Sequence, residues 1–347
     1  MRSKGFVIVW LAVFLGGCLL FAGVNYYVDP LWLFTHENRF NQKQWGFDER
    51  QQKTNLVRFG SFDYDALLLG SSRSTYISQA SFFDSRVFNY AVSGMRPVEF
   101  PGYIDFALSM RKRPFERIYL GMDFFATNKK NPGSAERASR YVEASGYPLY
   151  RLESLLSYDT FGKSITNIKK VRAGGPCDCY DRHNVKTLAV PSPEVKAKAV
   201  SGDVSAYNTK VYGPDYLYDD GLKDLLIQLR DAHSETRFIV FTTPPSYKLF
   251  QVLVRMGRLP DYERWITEMV DVFGGVYDFM GLNSITENLD NYADGHHFYQ
   301  SVGTVIAARL ENREAGPKDF GTYVTRDNLA RHLASIRAQA RRVGALP

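Results

Sequence analysis

The stretch Asp65-Ala66-Leu67-Leu68-Leu69-Gly70-Ser71-Ser72-Arg73-Ser74 joins a short apolar run to a turn of glycine and serine. Four apolar residues without alternation suit a strand covered on both faces, as in a parallel sheet. Comparable runs recur at Arg86–Gly94, at Arg117–Phe125 and at Arg237–Thr243, which leads into Pro244-Pro245. Gly275–Phe279 is a weaker one. Helical patterns over Val98–Met110, Leu222–His233, Asp261–Phe273 and Gln300–Asn312 lie between or after these runs. Strand–helix alternation of this kind predicts an α/β, doubly wound sheet, and no internal repeat is visible.

Outward from the strands, the rhythm breaks over 126–215, which is polar and rich in Tyr and Ser. This stretch reads as an insertion between the third and fourth core strands, with one helix near Leu152–Val171. It is either a lid or substrate wall, or an ordinary surface excursion. Residues 25–60 form a polar, aromatic connector without the Gly/Ser bias of a free linker, expected to pack on the domain. The α/β domain then occupies 61–315, and a basic helix is expected over 316–347.

Residues 1–24 are a short stub and an apolar helix. Arg2 and Lys4 precede Phe6–Val24, which carries no charge and is long enough for the roughly 30 Å hydrocarbon core of a bilayer. Basic residues before the span place the N-terminus in the cytoplasm and the rest of the chain outside. Asn25, Tyr26, Tyr27 and Trp32 follow as an aromatic belt would. A cleaved signal peptide needs a shorter core and a small-x-small site, and Leu15-Gly16-Gly17-Cys18 lacks the polar linker that a lipoprotein box leads into. An uncleaved single-pass signal-anchor is therefore expected, in the inner (cytoplasmic) membrane with the domain on the periplasmic side.

The 347 residues carry a net charge of +6, with basic residues concentrated near the C-terminus. A solvated helix face, anionic headgroups or an anionic glycan would suit that charge; a nucleic acid outside a membrane would not. Cys177 and Cys179 have only His183 near them, too few ligands for a metal, and read as a surface loop with two thiols or a strained pair.

Ligands of an open parallel sheet bind beyond the carboxyl ends of the strands. Ser72 stands on the turn after the first strand, the place for an exposed nucleophile close to a helix N-terminus. In Tyr292-Ala293-Asp294-Gly295-His296-His297-Phe298, Asp294 and His297 are three residues apart, so one helical turn would put both on one side. A carboxylate can there hold the imidazole in the tautomer of a general base; His296 is the second choice for that role. Gly94 ends the second strand and Gly121-Met122-Asp123 the third, where backbone N–H groups can face an oxyanion.

In this order, the four blocks resemble the SGNH (GDSL-like) hydrolase superfamily over roughly residues 60–312. Leu-Gly-Ser-Ser-Arg and Asp-Gly-His-His-Phe behind a membrane anchor look like the anchored SGNH-like proteins of bacterial surface-polysaccharide acylation, of the alginate O-acetylation and teichoic-acid D-alanyl transfer types. The resemblance implies a flavodoxin-like sheet, Ser72 as nucleophile, His297 as base and Asp294 as its partner. It implies Ser72 and Gly94 N–H groups as oxyanion donors, and no metal or cofactor. Ser71 stands in the family's Asp position. Asp123 stands where a donor Asn is usual; an ionised carboxylate there must be turned away or protonated, or else the oxyanion hole is smaller. Arg73 and Arg96 are candidates for holding an anionic sugar or phosphate, against the alternative of surface ion pairs.

The leading expectation is serine-dependent O-acyl transfer to, or removal from, an exported polysaccharide, with the acyl donor supplied by a membrane partner protein. The alternative is a non-catalytic glycan-binding or assembly factor on the same fold.

Overall fold

The structure is a computed structural model that describes residues 2–131 and 137–344, with side chains from residue 4 onward. Residues 132–136 of the expected insertion, 345–347 of the expected C-terminal helix and the Arg2 side chain of the basic stub lie outside the described residues.

In chain order the elements begin with α1 (Arg2–Val28), β1 (Lys43–Gln44), α2 (Glu49–Phe59), β2 (Ala66–Leu69), β3 (Val87–Asn89), α3 (Phe100–Arg111) and β4 (Arg117–Met122). The middle of the chain adds α4 (Ala138–Gly146), α5 (Tyr150–Leu156), α6 (Tyr158–Ala173), β5 (Cys179–Asp181), β6 (Lys186–Thr187) and α7 (Pro193–Ala206). It ends with α8 (Leu222–Ala232), β7 (Arg237–Thr242), α9 (Tyr247–Arg255), α10 (Leu259–Phe273), β8 (Gly275–Asp278), α11 (Gln300–Leu310), β9 (Thr322–Thr325) and α12 (Leu329–Gly344).

These elements group into two compact units where the sequence reading has one domain. The first combines Met1–Phe62 with Ala138–Thr187, so the connector and the middle of the insertion belong together. The second combines Asp63–Arg137 with Leu188–Pro347.

In the first unit, α1 is apolar and long enough over Lys4–Val28 to cross a membrane. Its C-terminal end is tied into the unit. Phe21 stacks on Phe161 of α6 with ring centroids 4.2 Å apart. The buried Asn25 amide donates to the Leu155 carbonyl at 2.8 Å and accepts from Ser164 Oγ at 2.9 Å. Beyond α1, the buried Asp29 pairs with Arg182 at 2.9 Å. The helix expected over 152–171 is two helices, α5 and α6, separated where the Ser157 side chain caps the second. β1, β5 and β6 form a small antiparallel sheet. Cys177 and Cys179 are not free thiols on a surface loop: they are buried and joined in a disulfide.

The second unit holds a six-stranded sheet in the order β3-β2-β4-β7-β8-β9. Its first five strands are parallel, with Leu68 opposite Asn89, Leu69 opposite Leu120 and Met122 opposite Thr242. All five are the strands expected from the apolar runs. The sixth, β9, is antiparallel to β8 and lies where only a helix is expected. Thr322-Tyr323-Val324-Thr325 is short and buries only Val324, so its signal is weak. The chain turns to opposite sides after β2, with β3 on one flank and β4 on the other. Such a reversal opens a crevice beyond the carboxyl ends of the strands.

The crevice walls are fixed by one core. Ala66 and Leu68 of β2, Tyr76 and Ile77 after it, Phe279 after β8, Tyr292 and Phe298 before α11, and Ile306 within α11 are packed together. Gly303 of α11 makes that approach possible, because a Cβ there would lie 2.4 Å from the Tyr76 carbonyl oxygen. Gly303→Ala is expected to cost about 1–3 kcal/mol through overpacking, read as a lower denaturant midpoint at unchanged slope. An unchanged midpoint would show that α11 has slack against Tyr76.

Candidate active site

β2 ends in the buried pleat and delivers Gly70, Ser71 and Ser72 to the crevice. A single turn follows: Ser74 N–H donates to the Ser71 carbonyl at 3.0 Å and Thr75 N–H to the Ser72 carbonyl at 3.2 Å. This is a three-residue 3-10 turn, Ser74–Tyr76, and not the α-helix expected behind the serine. The aligned dipole available to an anion at Ser72 is correspondingly small. Ser71 is buried, and its Oγ accepts the Arg73 N–H at 3.3 Å.

The turn after β3 is bonded to the turn after β2, with Val92 N–H donating to the Gly70 carbonyl at 3.1 Å. Met95 N–H donates back to Val92 at 3.1 Å, which closes a tight turn. Its third residue is Gly94 at φ 67°, a position for which a type II turn selects glycine. Gly94 is exposed at this rim.

Asp294 and His297 are not on a helical turn. They lie on a loop closed by a β-bridge between Tyr292 and Phe298 and by Ala293 N–H donating to the His297 carbonyl at 3.0 Å. Asp294 Oδ1 accepts the backbone N–H groups of His296 at 2.8 Å and His297 at 2.7 Å. Asp294 Oδ2 lies 2.6 Å from His297 Nδ1, and His297 Nε2 lies 2.9 Å from Ser72 Oγ. An ionised carboxylate only accepts, so the Nδ1 proton points to Asp294 and Nε2 is left to accept the Ser72 hydroxyl proton. Burial works to raise the Asp294 carboxyl. The His297 hydrogen bond, the two neighbouring imidazoles and the His296 N–H outweigh it and hold the group well below the usual carboxylate range. The Tyr76 ring stands edge-on to His297 at 5.6 Å.

Arg73 does not stand at the mouth of the crevice. Its side chain is 1% exposed, and Nη1 donates to Asp123 Oδ1 at 2.9 Å and Nη2 to the Tyr207 hydroxyl at 2.7 Å. Burial would lower the guanidinium, but Tyr207 and Asp123 outweigh it and keep it above its ordinary value. Burial pushes the Tyr207 phenol up to about 12, so it remains neutral. Asp123 also accepts from the Thr243 hydroxyl. Its Oδ1 is thus taken up by the buried Arg73 and Thr243, and an ionised carboxylate there has no hydrogen to give an oxyanion. Arg96 Nη2 donates to the Ala126 and Asn128 carbonyls at 3.2 and 3.0 Å. Arg96 therefore clamps the chain beyond β4 through Nη2.

The structure adds residues that no motif shows. Asp203 of α7 accepts the Gly295 N–H at 2.9 Å and lies 3.3 Å from His296 Nδ1. The His296 ring packs between His297 and Tyr207, at 4.0 and 5.9 Å. Burial, with the neighbouring His297 and Arg73, holds its imidazole below the ordinary value. Ser246 binds the Gly295 carbonyl through both its N–H and its hydroxyl, at 3.0 and 2.7 Å. Thr243 alone had a signal, since it sits at the end of the fourth core strand. Among the described residues, Asp294, His296 and His297 bring potential metal-ligand atoms within 4.8 Å of one another. Two of these groups, Asp294 and His297, already spend such atoms on each other.

No protein-family model matches the chain, and no curated protein matches it in sequence.

Arg73→Met leaves the Asp123 carboxylate buried without its cation and is expected to cost about 3–5 kcal/mol in urea unfolding. Arg73→Met with Asp123→Leu should cost clearly less than the two changes summed; simple additivity would show that the ion pair is not coupled. The depressed Asp294 carboxyl contributes stability that is complete above the unfolded value, about pH 4, and is lost as pH falls through its lower folded value. Asp294→Asn should therefore flatten the stability curve below pH 4, and an acid limb as steep as the parent's would assign that limb to other carboxylates.

Proposed function

We propose that the second unit is an SGNH-type serine acyltransferase or acylesterase acting on an exported cell-surface polysaccharide. The observation that carries this reading is the relay from Ser72 Oγ through His297 to Asp294, at 2.9 and 2.6 Å. The parallel strand order supports it: numbered along the chain, the five strands run 2-1-3-4-5, the flavodoxin-like arrangement.

In this reading Ser72 Oγ attacks the acyl carbonyl carbon while His297 Nε2 takes the hydroxyl proton. Asp294 keeps the imidazole in the Nδ1–H tautomer and stabilises the cation that forms. The carbonyl oxygen becomes an oxyanion facing the Ser72 and Gly94 N–H groups. Collapse breaks the bond to the leaving alcohol, which departs with the proton from His297, and an acyl-Ser72 ester remains. A sugar hydroxyl, deprotonated by His297, then attacks that ester and releases Ser72; water in the same place gives hydrolysis. Asp123 adds no donor, and an oxyanion hole short of one donor is slower by about 100–1000-fold. That shortage favours a second reading, a non-catalytic glycan-binding or assembly factor. The apolar α1 fits a single-pass anchor in the cytoplasmic membrane with the site outside, where a membrane partner would supply the acyl donor.

The test is hydrolysis of an aryl acetate by the full-length chain in a non-ionic detergent, against Ser72→Ala and His297→Ala. Acyl transfer through Ser72 is expected to leave a mass-tagged acyl-Ser72 in the parent and to fall roughly 1,000-fold or more in each variant. Equal rates in parent and Ser72→Ala, with no acylated serine, would reject the enzyme and favour the binding factor.

A further inference from the structure

A cavity of about 790 Å³ lies along α7 and α9, with Leu289 and Asp290 also lining it. Its size is within the roughly 300–1,000 Å³ of small-molecule sites. The two walls differ in chemistry. On α7, Ala197, Val200 and Val204 follow at helical spacing and give one apolar face. On α9, Lys248, Gln251 and Arg255 follow at the same spacing and give a polar, cationic face. Lys196 is neutralised, its Nζ donating to the Leu289 carbonyl at 3.0 Å and pairing with Asp290 at 3.4 Å. Lys248 and Arg255 have no carboxylate partner among the described residues. Arg255 donates to the neutral Asn208 side chain at 3.1 Å, and the Lys248 ammonium lies 4.9 Å from the Tyr247 ring centroid.

A wholly apolar ligand would leave two cations facing a desolvated wall, and a bare anion or a sugar would leave the valine wall uncovered. We propose that this groove binds a phosphate-bearing amphiphile, with its apolar chain along α7 and its headgroup on Lys248 and Arg255. A phosphate monoester, at about −1.5 to −2, matches the two unpaired cations in charge. The groove is also coupled to the relay through the chain. α7 carries both the apolar wall and Asp203, which holds the histidine loop. The lining residue Asp290 lies four positions before Asp294 in the chain. The proposal concerns binding alone and stands independently of any chemistry at Ser72.

The full-length chain in a phosphate-free non-ionic detergent, titrated calorimetrically with octyl phosphate, tests it. Protein-free micelles, octanol and inorganic phosphate serve as references. One saturable site is expected for octyl phosphate, with inorganic phosphate and octanol weaker by about tenfold or more. Lys248→Glu with Arg255→Glu should weaken octyl phosphate by a similar factor. Ala197→Trp, at an exposed position of α7, should fill the groove and remove the site while leaving the thermal midpoint unchanged. The proposal is overturned by heats no larger than those of protein-free micelles, by inorganic phosphate binding as tightly as octyl phosphate, or by parent affinity in a folded Ala197→Trp protein.

Discussion

The Asp294 carboxylate takes up three hydrogens at once: two backbone N–H groups on one oxygen and the His297 ring on the other. The backbone pair fixes the loop from Ala293 to His297 around the carboxylate. The ring contact then fixes which imidazole nitrogen faces Ser72. A carboxylate spent in this way is costly to protonate, so the group is held well below the usual carboxylate range. The loop is clamped from outside as well, by Asp203 on the Gly295 N–H and by Ser246 on its carbonyl. The geometry of the relay is therefore a property of the loop, and the sheet contributes mainly the position of Ser72.

Behind the serine, the Arg73–Asp123 pair does a different job. It joins the turn after β2 to the end of β4 and reaches Tyr207 and Thr243 from later in the chain. A charge pair this deep stabilises little relative to an apolar filling of the same shape, but it tolerates no half-measures, since either partner alone would be a buried charge. Its presence next to the serine ties four separate segments to one another.

The strands were legible because burial on both faces leaves uninterrupted apolar runs, as in Leu67-Leu68-Leu69. Ser72, Asp294 and His297 were legible because each sits next to a turn in a recognisable local pattern. What escaped depends on partners far away in sequence. Arg73 looks the same in sequence whether it faces solvent or Asp123, 50 residues on. Asp203 lies on a helix with no motif, and only its contact with Gly295 gives it a place. β9 escaped because it buries a single side chain. The spacing of Asp294 and His297 suggested a helical turn, whereas the backbone closes a bridged loop and the carboxylate itself supplies the missing turn contacts. The two-unit grouping was hidden because each unit joins stretches far apart in the chain, which no local pattern links.

The chain passes from one unit to the other three times, after Phe62, after Arg137 and after Thr187. Neither unit is a contiguous stretch that a single recombination event could transplant. The apolar helix shares this entanglement, since Phe21 and Asn25 are held by α5 and α6, whose residues were made more than a hundred positions later. During synthesis, the end of that helix must therefore wait for the first half of the insertion to emerge before its polar partners exist. The apolar helix and the insertion are thus bound to a common history: a change of length or sequence in one is felt as a lost partner in the other.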